Sequence, residues 1–170
     1  MVSSYTPTLS ALLNAQNKAP QIAPAHLNIL AVAEDGRGPG STVSPLFCVE
    51  PELICVRDTA KASRHACSVD LMAKHATVEH IAERIQTAQF VHLACHGTQD
   101  ETSALKSGFY LSNGLLTVSE LMHLNLDKAW FAYLSACETA KSDADQPDQV
   151  VHLTAAMLHA GFKSVVATMW

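Results

Sequence analysis

Residues 90–97 read FVHLACHG, and the architecture turns on that stretch. An apolar run that stops on Cys95-His96-Gly97 reads as a buried strand delivering an imidazole and a glycine to the edge of a sheet. A second apolar, aromatic-rich run, AWFAYLSAC at 129–137, also lacks a clean alternation and ends on Cys137. Strands covered on both faces have this pattern, and they belong to parallel sheets flanked by helices. In open α/β sheets the working groups gather beyond the carboxyl ends of the strands.

Between the two strands, SNG at 112–114 reads as a turn and TVSE at 117–120 as a capping box opening a short helix. That content suits a right-handed crossover between neighbouring parallel strands, which puts His96 and Cys137 on one rim. Working outward, TVEHIAERIQTA at 77–88 places Val78, Ile81, Ala82 and Ile85 on one helical face behind a Thr77 cap. Val150, Leu153, Thr154, Met157 and Leu158 form another such face, closed by Gly161.

LNILAVAE at 27–34, CSVDL at 67–71 and KSVVATMW at 163–170 read as further strands. A helix is expected over 8–16 and a connector through Pro20 and Pro24. Pro39, Pro45 and Pro51 argue against a long helix in 35–66, with PELICVR at 51–57 as one short helix there. Strands alternating with helices give an α/β fold with a mainly parallel sheet and helices on both faces.

The 170 residues suffice for one domain with a true core. Sixteen acidic against eleven basic residues, net −5, leave no basic field for phosphates, so nucleic acid is not expected as a partner. No apolar run is long enough for a membrane span, and no signal peptide is evident. Five cysteines without C-x-x-C spacing fit a reducing, cytoplasmic setting.

A cysteine beside a histidine is a nucleophile with its base, because the imidazole favours the thiolate. Gly97, lacking a Cβ, can turn its N–H toward a substrate carbonyl oxygen and share an oxyanion hole with the N–H of Cys137. Cys95 points to the opposite face and reads as core. His92 and His96 share a face, but no third ligand has zinc-site spacing, so no metal or other cofactor is expected; His92 reads as a hydrogen-bonded core residue. Asp143, Asp145 and Asp148 follow Cys137 on a solvated acidic loop that can also receive a basic substrate side chain. Ser135 and Glu138 flank the nucleophile without an assigned step, and no third triad member is named.

VHLACHG at 91–97, YLSACETA at 133–140 and AGFKSVVATMW at 160–170 together resemble the CHAT domain of the caspase-like cysteine peptidases. SSYTPTLSALL at 3–13 and SGFYLSNGLLTVSEL at 107–121 are similar to further segments of that family, while 35–66 follow its pattern poorly. The resemblance implies a caspase-like three-layer sandwich of strand order 2-1-3-4-5, His96 and Cys137 as catalytic dyad, and protein or peptide substrates cleaved through a thioester. It also implies a tetratricopeptide-repeat region as partner in a longer chain. On this reading 27–170 form the caspase-like CHAT domain, incomplete at its C-terminal end, and 1–26 are an N-terminal helix and connector belonging to the preceding part of the domain.

The sequence departs from the pattern in places. Ser135-Ala136-Cys137-Glu138-Thr139 stands where caspases carry Gln-Ala-Cys-x-Gly, so aspartate specificity is not implied. Gln149 stands where such domains have an acid, and Trp170 where they continue to a final strand and helix. The second reading of the same residues is a CHAT-like module without catalysis, used for protein–protein contact.

Overall fold

The computed structural model describes residues 13, 26–36, 44–73, 76–98, 100, 103–135 and 149–167. In chain order these hold β1 (His26–Ala33), α1 (Val49–Ala62), β2 (Ala66–Ala73), α2 (Val78–Ile85), β3 (Phe90–Ala94) and β4 (Gly97–Thr98). A 3₁₀ turn (Ala104–Lys106), β5 (Gly108–Leu111), β6 (Gly114–Thr117), α3 (Val118–His123), β7 (Phe131–Leu134), α4 (Gln149–Ala160) and β8 (Ser164–Ala167) follow. The helix expected over 8–16 and its connector lie outside the described residues, apart from Leu13.

Five strands form one parallel sheet in the order β2-β1-β3-β7-β8. Numbered among themselves along the chain, they run 2-1-3-4-5, the order expected for the caspase-like sandwich. Alternate residues of β1 and β3 serve two cores. On one face Leu30 and Val32 of β1, and Val91, Leu93 and Cys95 in and just after β3, meet Ile81 and Ile85 of α2, Leu121 of α3 and Met157 of α4. Burying each such Leu, Ile or Val contributes roughly 1.5–3 kcal/mol. On the other face Ala31, Ala33 and Ala94 lie under Val49 and Leu53 of α1. Three alanines in a row of neighbouring strands let the helix sit close to the sheet.

The two expected caps are present. The Thr77 hydroxyl accepts the His80 N–H at 3.3 Å. Thr117 accepts the Glu120 N–H at 3.1 Å while the Glu120 carboxylate accepts the Thr117 N–H at 2.7 Å, completing the capping box. Gly161 closes α4 at φ 127°, a conformation that a side chain would strain.

Two features correct the sequence reading. Where one short helix over 51–57 is expected, α1 runs from Val49 to Ala62. Pro51 falls in its first turn, where a missing N–H breaks no helical bond, so proline starts this helix instead of breaking it. The second is a three-stranded antiparallel sheet, β4-β5-β6, of which only the turn at 112–114 is legible beforehand. Its strands are two to four residues long, too short for alternation to declare them. Among the described residues, no helix is long and apolar enough to cross a membrane.

Candidate active site

β3 is the central strand, and it hands the chain directly to the small sheet. Ala94 is its last residue, Gly97 opens β4, and His96 sits at the junction, 3 % exposed. Its backbone is pinned because its carbonyl accepts the Tyr110 N–H of β5 at 2.8 Å. Its ring is pinned as well: Nε2 lies 2.7 Å from the carbonyl oxygen of Ser44. A carbonyl only accepts, so Nε2 carries the proton, and in the neutral ring Nδ1 is the basic nitrogen.

Ser44 is the member of this arrangement that sequence reading missed. A backbone carbonyl has no side-chain signature, and 35–66 is the least readable stretch. The only available signal is Pro45, which biases the residue before it toward extended backbone and so helps aim its carbonyl. The same loop is tied to the end of β1 through the Leu46 N–H to the Asp35 carbonyl, 2.9 Å.

Gly97 is paired with Phe109 in the antiparallel ladder. The bond of this register runs from the Tyr110 N–H to the His96 carbonyl, which makes Gly97 and Phe109 a non-hydrogen-bonded pair. The N–H of Gly97 is therefore directed away from β5, as an oxyanion donor requires.

β7 lies beside β3 in parallel, with Phe90 opposite Phe131 and Leu93 opposite Leu134. The Ser135 N–H donates to the Leu93 carbonyl at 2.9 Å and continues the ladder past β7. Cys137, Asp143, Asp145 and Asp148 lie outside the described residues.

Beneath this rim, on the α1 face, is a polar cluster that sequence reading resolved only at His92. The His92 Nε2–H donates to Glu52 Oε2 at 3.0 Å, and the Ser135 hydroxyl donates to Glu52 Oε1 at 3.0 Å. The His92 ring stacks on Tyr133 of β7, centroids 5.2 Å apart and planes within 3°. Glu52 stands in the first turn of α1, where the helix dipole favours a carboxylate. Cys95, on the other face, is fully buried in the core.

Burial pushes the His92 imidazole below its ordinary value of 6.5, outweighing the upward pull of Glu52. The folded chain thus holds His92 neutral at a pH where the unfolded chain already binds a proton. Stability from this group is complete above the unfolded value and falls with pH down toward the depressed folded one. A thermal scan should show Tm dropping as the pH falls below the ordinary imidazole value of 6.5, with a shallower slope for His92→Gln. A slope unchanged by that substitution would contradict the assignment.

An apolar cleft of about 450 Å³ opens between α1 and the sheet, lined among others by Leu27, Ile29, Val56, Phe90 and Phe131. The strand residues among these lie in the amino-terminal halves of β1, β3 and β7, so the cleft lies toward the opposite end of the sheet from His96 and reaches the polar cluster only at His92 and Tyr133. Among the described residues no group of three or more His, Cys, Asp or Glu is placed to hold a metal ion.

Among families of known proteins, the CHAT domain matches residues 2–170. No curated protein matches the chain. The family match runs through the segments around both His96 and Cys137, and the central sheet has the strand order that the caspase-like fold demands: the chain belongs to the CHAT domain family.

Proposed function

We propose that the chain is a cysteine endopeptidase acting through His96 and Cys137. His96 Nδ1 takes the proton of the Cys137 thiol, and the thiolate sulfur attacks a peptide carbonyl carbon. The N–H groups of Gly97 and Cys137 hold the resulting oxyanion. As the tetrahedral adduct collapses, the C–N bond breaks and the imidazolium returns its proton to the leaving amine. A water, deprotonated by His96, then attacks the thioester and releases the acid product and the thiol. No cofactor is needed at any step.

The observation that carries this reading is the fixed ring of His96 at the carboxyl end of β3 beside β7. In the register of that pair, His96 and Cys137 each follow a paired residue, Leu93 or Leu134, by three positions. The Ser44 carbonyl supplies what a third triad residue supplies elsewhere: it fixes the tautomer and steadies the imidazolium that forms. Protein or peptide substrates in the cytoplasm are the corresponding class, with Asp143, Asp145 and Asp148 as candidates for receiving a basic side chain.

The test is covalent labelling with a panel of peptidyl acyloxymethyl ketones that differ in the residue before the electrophile, read by mass spectrometry of every cysteine. Cys137 should be modified ahead of Cys48, Cys55, Cys67 and Cys95. Labelling of all exposed thiols alike would reject the peptidase and favour the non-catalytic contact module.

A further inference from the structure

The Glu52 carboxylate joins three elements of the site, and the dyad mechanism does not use it. One oxygen accepts from His92 in β3, the other accepts from Ser135 just past β7, and its own backbone belongs to α1. Ser135 is the last described residue before Cys137, two positions away in sequence. The loop leading into α1 carries Ser44, whose carbonyl holds the His96 ring. One helix and its approach therefore reach both halves of the candidate dyad, the base through Ser44 and the nucleophile's strand through Glu52.

We infer that Glu52 is a positioning residue for Cys137, acting through the Ser135 hydroxyl at the exit of β7. The inference rests on the peptidase reading above and adds to it the group that fixes Ser135, two residues before the nucleophile. Three physical points support this. Backbone pairing alone holds Ser135 along the sheet, through its bond to Leu93, but leaves its torsion open. The bond to a carboxylate is charge-assisted and stronger than one between neutral groups. Glu52 is itself immobilised by His92, which is clamped in turn against Tyr133.

The chemistry of the pair separates positioning from charge. Glutamine at position 52 keeps an acceptor and a donor, so it can satisfy Ser135 and His92 together once the His92 tautomer adjusts, whereas alanine satisfies neither. The readout is the rate at which a peptidyl acyloxymethyl ketone labels Cys137 in the full chain, with Tm recorded for each variant. Glu52→Ala and Ser135→Ala should each slow labelling by about tenfold or more, since small misplacements of a reacting group carry penalties of this size. The double variant should be no slower than Glu52→Ala, because both changes remove one device. Glu52→Gln should stay within about threefold of the parent, a rescue that bulk destabilisation does not predict.

Parent-like labelling in Ser135→Ala, losses that multiply in the double variant, or Glu52→Gln as slow as Glu52→Ala would each overturn the inference while leaving the dyad intact. A parent chain showing no preference for Cys137 would instead remove the peptidase reading, and this inference with it.

Discussion

Replacing His96 by alanine should slow peptide hydrolysis by about 10²–10⁴-fold, the usual contribution of a positioned general acid–base group. It should slow modification of Cys137 by the peptidyl ketone in parallel. The substitution does two things that must be told apart. It removes the proposed base, and it takes from the Ser44 carbonyl the donor at 2.7 Å, at a site where the His96 ring is almost wholly buried. Deleting a ring that is 3 % exposed leaves a void behind it, so His96→Ala should also lower Tm. Glutamine separates the two effects. Its amide nitrogen occupies nearly the position of Nε2 and can still donate to Ser44, but it has no basic nitrogen. His96→Gln should therefore recover most of the lost Tm and none of the lost rate. A glutamine variant that hydrolyses peptide at the parent rate would refute the role given to His96.

Gly108→Ala should be the most damaging single-methyl change in the small sheet. A Cβ at Gly108 would lie 2.3 Å from the carbonyl oxygen of Leu116 and 2.9 Å from the Thr117 Cα. Both obstacles are backbone of the paired strand β6, so no side chain can swing aside. The strands must separate, and overpacking of this kind costs about 3 kcal/mol or more. For a chain of this length that corresponds to a fall in Tm of roughly 6–12 °C. The consequence reaches the site because Gly108 also pairs with Thr98, next to Gly97. A displaced β5 shifts Gly97 and, through the Tyr110–His96 bond, the backbone of His96. Gly114→Ala is the control: a Cβ there meets only the Val78 Cγ2 at 3.8 Å, an ordinary contact. Equal Tm values for the two variants would show that the hairpin tolerates the methyl group and that the close approach is not a constraint.

The parts of this protein legible from its residues are those governed by local rules. Helix periodicity identified the faces of α2 and α4, and hydroxyl-to-carboxylate spacing located the capping box at Thr117 and Glu120. Apolar runs ending in turn-forming residues marked the five strands of the large sheet. His96, Gly97 and Cys137 were singled out as reactive or glycine residues at strand ends, and of these His96 and Gly97 lie just past the end of β3.

Other features depend on residues far apart in the chain. α1 was hidden because three prolines nearby suggested broken structure, and whether a proline breaks or begins a helix depends on where that helix starts. β4, β5 and β6 were hidden because strands this short are stabilised by the partner they pair with and not by their own pattern. The turn residue Asn113 accepts the Val78 N–H at 2.8 Å and so caps α2 from a distant hairpin, which no local motif announces.

The site divides in the same way. The candidate base and nucleophile, His96 and Cys137, were named from residue type and order alone. How the base is held is set by groups that have no local signature: the Ser44 carbonyl on the ring of His96, and the Glu52 carboxylate between His92 and Ser135. Backbone carbonyls look alike in every sequence, and a hydrogen bond spanning 52 or 83 residues exists only once the sheet has brought its ends together. Only the tertiary structure, by closing those long separations into contacts near 3 Å, decided which of many equivalent groups hold His96 and Ser135.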